Sequence, residues 1–177
     1  TPVSPQTADS DLTQPDSSVV AVIGAGTIGA AFSLMFAAAG HDVRICDSSK
    51  DRRLSVRQRI VDPIHLLQAN GLCDQDADQV LSRIDVLSDV ADSVNGVDFV
   101  QECVPEDVGL KRKLFAELDE LAPEGAILAS SSSAIMASEF AGELNGAHRC
   151  LVAHPGNPPF LIRLIEVVPA KFTSQEA

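Results

Sequence analysis

Three glycines and an acid carry the first chemical signal in this chain. Gly24, Gly26 and Gly29 lie within Gly24-Ala25-Gly26-Thr27-Ile28-Gly29, directly after the apolar run 19–23. Gly24 permits a tight turn, Gly26 leaves room for a pyrophosphate beside the backbone, and Gly29 lets a following helix pack close. Thr27 and Ile28 open that helix, whose free N–H groups and positive dipole end face the phosphates. Asp47 stands 23 residues after Gly24. A carboxylate at that distance accepts hydrogen bonds from a ribose 2′-hydroxyl and repels a 2′-phosphate, so the expected cofactor is NAD rather than NADP. Ser48, Ser49, Lys50, Arg52 and Arg53 follow and offer a phosphate some competing attraction.

A second set of polar residues follows apolar runs further along. Glu106 comes shortly after 97–100, the serines 130–133 follow 126–129, and His154 closes 150–153. In open parallel sheets ligands collect at the carboxyl ends of strands. Glu166 lies inside the apolar run 161–168, where a carboxylate needs a partner, and His154 is the natural candidate. A carboxylate orients a histidine and raises its basicity. That suits removing a proton from an alcohol while its carbon gives hydride to nicotinamide. A serine hydroxyl can hold the same substrate oxygen. Plainer roles stay open for each residue. His154 could cap a turn before Pro155, and Glu166 could pair with Arg163 or lie on an edge strand. Ser133 could cap a short helix, and Asn157 reads as a turn former between Gly156 and Pro158.

The elements needed to position these groups are legible in the same pattern. Residues 19–23 are β-branched and small with no alternation, as suits a strand buried on both faces. A small-residue helix runs to Ala39, Gly40 ends it, and 42–46 reads as the second strand. Residues 51–70 read as a helix with Leu54, Ile60, Ile64 and Leu67 on one face; Pro63 falls inside it. A shorter helix is expected over 74–83 and strands over 84–87, 97–100, 126–129 and 150–153. Leu110, Leu114, Leu118 and Leu121 recur at helical spacing with Phe115 beside them. Strands alternating with helices predict an α/β fold with a doubly wound, mostly parallel sheet of Rossmann-like type. Residues 1–17 are rich in Ser, Thr, Pro, Asp and Gln and read as a disordered tail; residues 18–177 form the cofactor-binding domain.

Composition narrows the partners. The 177 residues suit one domain with a real core. A net charge of -12 disfavours nucleic acid and anionic membranes. The apolar stretches are too short to span a bilayer, and no secretory signal is visible. Cys46, Cys73, Cys103 and Cys150 form no CxxC pair and show no zinc-ligand spacing, so reduced cysteines, a cytoplasmic setting and no metal are expected. Cys46 and Cys150 fall in apolar runs and read as core.

The pieces VIGAGTIGAAF, FVQECVPED followed by LKRKLFAEL, LASSSSAI, HPGNPP and LIEVVP, together spanning about 19–169, resemble the NAD-binding domain of the 3-hydroxyacyl-CoA dehydrogenase family. VQECVPE, the four serines and HPxNPP are most similar to its lambda-crystallin and L-gulonate 3-dehydrogenase branch. The resemblance implies that His154 is the catalytic base, Glu166 the acid that orients it, and Ser133 the holder of the substrate oxygen. It implies that Glu106 and Lys111 lie near the nicotinamide end of the cleft. Ser131 stands where acyl-CoA members carry Asn, and Pro155 and Gly156 where many carry aromatics. A small-molecule substrate is implied: an L-3-hydroxyacyl-CoA first, or a free 3-hydroxy acid such as L-gulonate or carnitine. Arg52, Arg53, Arg57 and Arg59 are available for CoA phosphates. A crystallin-like structural role is the non-enzymatic alternative, though it needs none of Ser133, His154 or Glu166. The family carries a second, helical domain that dimerises and closes over the substrate. This chain reads as ending before it, so the full-length protein is expected to be a homodimer and this portion to turn over poorly by itself.

Overall fold

The computed structural model describes residues 18–162 and 164–177. The expected N-terminal tail and Arg163 lie outside the described residues. The first apolar run forms β1 (Val19–Ile23) and leads through the glycines into α1 (Thr27–Ala38). Then come β2 (Asp42–Cys46), α2 (Lys50–Ala69), α3 (Ala77–Leu81), β3 (Ile84–Leu87) and α4 (Val90–Val94). β4 (Phe99–Glu102), α5 (Val108–Leu121), β5 (Ile127–Ser130), α6 (Ala137–Phe140), β6 (Cys150–Pro155) and β7 (Ile165–Pro169) complete the order.

The seven strands form one sheet in the order β3-β2-β1-β4-β5-β6-β7. The first six run parallel, and β7 pairs antiparallel with β6 at the edge. Chain order reverses between β1 and β4, which makes the carboxyl ends of these two strands the place for a ligand. β1 explains its own lack of alternation: Ala21 and Ile23 pack in one core with α4, α5 and α6, while Val20 and Val22 pack in another with α1, α2 and α3. Cys46 and Cys150 are buried. Among the described residues no helix is long and apolar enough to cross a membrane.

Several expected positions move. Leu54 is 73 % exposed, and Val56, Ile60 and Ile64 form the buried stripe of α2. Spacing of four places those three on one face, and Leu54 lies two residues off it. In α5 the buried set is Lys111, Leu114, Phe115 and Leu118, with Leu110 and Leu121 exposed. A lysine thus occupies a core slot of an otherwise apolar stripe. α4 has no counterpart among the expected helices; Asp89 caps it by accepting the Asp92 N–H. Ser133 does not cap α6, whose N-cap is Met136.

Candidate active site

The glycine loop is built by close backbone approaches. Gly24 has φ +110°, and a Cβ there would sit 2.6 Å from the Cys103 carbonyl at the end of β4. A Cβ on Gly29 would overlap the Gly24 carbonyl oxygen, so α1 packs against the loop as close as backbone allows. At Gly26 the space is open, with nothing within 4 Å of a Cβ. Gly26 is also the N-cap of α1, with no side-chain cap. The first turn of α1 is therefore left without a side-chain cap beside open space, an arrangement that accepts an anion. Thr27 is exposed at this opening and Ile28 is half-buried, lining the adjoining cleft.

Asp47 follows β2 and is held against the loop. Its Oδ2 accepts the Ala25 N–H at 2.8 Å and its Oδ1 accepts the Ser49 N–H at 2.8 Å. Arg52 approaches Oδ2 at 3.6 Å. Loop and carboxylate are thus one rigid unit, whose open helix end and neighbouring acid fit a dinucleotide with a free ribose hydroxyl.

From Ile28 a cleft of about 280 Å³ runs over the ends of β4, β5 and β6, with Glu106, Ser133, His154 and Asn157 on its walls. The Glu106 carboxylate accepts the Ser132 hydroxyl at 2.8 and 3.0 Å, the Ser133 N–H at 2.6 Å and the Ser133 hydroxyl at 3.2 Å. Partial burial pushes the Glu106 carboxyl up. The Ser133 N–H, the Ser132 hydroxyl, the Lys111 charge and the Ser133 hydroxyl together outweigh it and hold the group below the usual carboxylate range. Asn157, expected only as a turn former, also faces this space.

His154 Nδ1 lies 3.0 Å from Glu166 Oε2. The pairing expected from sequence is present, but its cause differs. The Glu166 side chain is 63 % exposed, so no desolvation forces a partner on it. Antiparallel pairing of β6 with β7 sets His154 directly opposite Glu166 and puts both side chains on one face. With Nδ1 turned to the carboxylate, Nε2 is left to meet a substrate. His154 and Ser133 also border a second hollow of about 160 Å³, walled by Ile135, Met136, Val152 and Val168. The histidine and the serine hence stand between a cofactor-side cleft and a smaller, mostly apolar space. A base and a hydroxyl placed there can act on an alcohol in the second space.

Lys111 lines the floor of the cleft and is buried there. Its ammonium lies 2.9 Å from both oxygens of Glu102 and 3.7 Å from Glu106. Sequence reasoning missed Glu102 and took Ser130 only as part of the serine run. The available signal was an acid closing a buried strand near a lysine on an apolar helix stripe. Three arginines are already engaged. Arg53 donates to the Asp47 and Ser48 carbonyls, Arg57 to the Ile84 carbonyl, and Arg52 pairs with Asp47.

Known proteins are similar to this chain in sequence and in fold. The family model for the 3-hydroxyacyl-CoA dehydrogenase NAD binding domain matches residues 19–177. A lambda-crystallin homolog from Bos taurus is 40 % identical over 152 residues, which is 85 % of this chain and 47 % of that protein. An L-carnitine dehydrogenase from Bacillus cereus is 37 % identical over 158 residues, covering 89 % and 47 %. The crystal structure of 3-hydroxybutyryl-CoA dehydrogenase from Escherichia coli K12 superposes with a TM-score of 0.85 at 28 % identity, covering 91 % of this chain and 34 % of that one. The chain spans about half the length of the curated relatives it matches. With its glycine loop, Asp47 and mostly parallel sheet, the chain belongs to the 3-hydroxyacyl-CoA dehydrogenase family and is an NAD-binding domain of it.

Proposed function

We propose that this domain serves an NAD-dependent dehydrogenase that oxidises the 3-hydroxyl of an L-3-hydroxy acid or of its acyl-CoA ester to the ketone. The observation that carries the reading is the His154–Glu166 pair at 3.0 Å, whose His154 borders the same cleft that Ile28 reaches from the glycine loop. His154 Nε2 takes the hydroxyl proton, Glu166 keeps the imidazole oriented and balances the charge it gains, and Ser133 holds the substrate oxygen. Bound NAD+ supplies the acceptor for the hydride that leaves the carbinol carbon. Gly24, Gly26, Thr27, Ile28 and Gly29 hold the pyrophosphate, Asp47 the adenosine ribose, and Glu106 the nicotinamide end, with Lys111 behind it. Proton and hydride together account for the two electrons and two hydrogens lost by the alcohol.

Within this reading a free acid is favoured over the CoA ester. A CoA ester calls for unengaged cations along α2 to meet its phosphates. Arg52, Arg53 and Arg57 are instead tied to Asp47, to the Asp47 and Ser48 carbonyls and to the Ile84 carbonyl, which leaves Arg59 and Lys50 for that task. The likeness to L-carnitine dehydrogenases points the same way. The test is a substrate screen on the full-length gene product, following NADH absorbance with 3-hydroxybutyryl-CoA, L-gulonate and L-carnitine. Turnover of free acids alone is expected. Turnover of the thioester alone reverses the preference, and turnover of none of the three removes the dehydrogenase reading.

A further inference from the structure

Beneath the cofactor end of the cleft lies a charge network of which the chemistry above calls only on Lys111. Glu102 is the last residue of β4 and is fully buried. Its Oε1 accepts the Val104 N–H at 2.6 Å and the Lys111 ammonium at 2.9 Å. Its Oε2 accepts the same ammonium at 2.9 Å and the Ser130 hydroxyl at 2.5 Å. Every acceptor position of the carboxylate is filled. The Ser130 oxygen accepts in turn from the Ser132 N–H at 3.2 Å and from Lys111 at 3.4 Å. One carboxylate thus joins the loop after β4, the loop after β5 and the start of α5.

Those two loops carry Glu106 and Ser133. Glu106 binds Ser132 and Ser133 from above, while the Lys111 ammonium faces it from below at 3.7 Å. Stability alone is a weak reason for such a network, because a buried ion pair gives little over apolar side chains of the same size. A fully satisfied buried network does specify one arrangement of the chain around it.

We propose that Glu102 is a positioning residue, which through Ser130 and Lys111 fixes the serine loop and Glu106 in the register where Ser133 and Glu106 face substrate and cofactor. The proposal rests on the dehydrogenase reading for what those two residues face. Lys111 lies at the floor of the cleft and acts through Glu106, since its ammonium is held by both Glu102 oxygens at 2.9 Å and stands 3.7 Å from Glu106.

The experiment is a coupling cycle on the chain without ligand, reading the Glu106 titration by carboxyl-carbon NMR and the Ser132 and Ser133 amide signals. Ser130→Ala removes the hydroxyl link and leaves the Lys111–Glu102 pair. It is expected to shift both amides and to move the Glu106 midpoint upward, as the Ser133 N–H and Ser132 hydroxyl withdraw. In a Glu102→Leu/Lys111→Met background the same Ser130→Ala change is expected to have a much smaller effect, because Ser130 then has no partner at position 102 to hold it. If that pair fails to fold, Glu102→Val/Lys111→Met provides the background. Equal shifts from Ser130→Ala in both backgrounds, or no shift in the parent, overturn the proposal. The readout needs neither NADH nor turnover. A parent that fails to bind NADH therefore counts against the dehydrogenase reading and leaves the positioning result standing.

Discussion

Replacing Lys111 by methionine measures how far the network beneath the cleft is removed from water. Side-chain exposure is 1 % for Lys111 and 0 % for Glu102, with the ammonium 2.9 Å from both carboxylate oxygens. Methionine approximates the volume of the lysine stem and opens no large void, so the loss is electrostatic. Glu102 keeps the Ser130 hydroxyl and the Val104 N–H but loses the ammonium that balances it. Breaking a buried pair from one side costs about 3–5 kcal/mol. At about 2–4 °C per kcal/mol for a domain of this size, Tm falls by about 6–20 °C at neutral pH. Glu102→Leu/Lys111→Met takes out both charges and should recover most of that loss, leaving a deficit of about 1 kcal/mol for the partners of Glu102 that go unpaired. Thermal unfolding by circular dichroism reads all three proteins. A single variant melting within about 2 °C of the parent would refute the reasoning, since such a small change means that Glu102 is solvated or finds another cation.

Three further outcomes are expected. His154→Ala in the full-length protein abolishes turnover while NADH binding, followed by fluorescence, is unchanged; turnover at the parent rate removes His154 from the chemistry. Glu106 is held below its ordinary value of 4.5, so its charge adds stability that is fully present above that pH and is lost as pH falls through the folded midpoint. The Tm difference between parent and Glu106→Gln should therefore be present at neutral pH and close as the solution is acidified below 4.5, and a pH-independent difference contradicts the assignment. Gly26→Ala has open space around it and should melt like the parent yet bind NADH about tenfold or more weakly. Gly29→Ala forces the Gly24 carbonyl aside and should lose both stability and binding. Equal behaviour of the two variants in calorimetry and fluorescence titration would show that the loop does not cradle the pyrophosphate.

Much of the fold was legible because its signals are local. An apolar run ending in spaced glycines, a small-residue helix and a second run ending in Asp47 need no distant contact to be read, and the strand pattern after them gave the sheet type. The misreadings arose where burial depends on what lies across an element. Leu54 carries the right residue type for the α2 stripe but the wrong angle, and Lys111 carries the wrong type at a buried position. Neither can be seen without the surface against which the helix packs. Glu102 escaped for the same reason. Beside Cys103 and Glu106 it reads as one acid among several, and only the approach of α5 and β5 makes it the centre of a network.

The amino-acid sequence by itself determined the doubly wound class, the dinucleotide loop with its acid, and the set of polar residues at strand ends, because each follows from residue type and short-range spacing. Tertiary structure alone decided how those residues meet. Antiparallel register between β6 and β7 set His154 against an exposed Glu166, where sequence had pointed to a carboxylate buried in an apolar run. The convergence of β4, β5 and α5 made Lys111 a buried support at the floor of the cleft, beside Glu106. Pairing across a sheet and desolvation of a charge depend on segments far apart in the chain, and no local spacing encodes them.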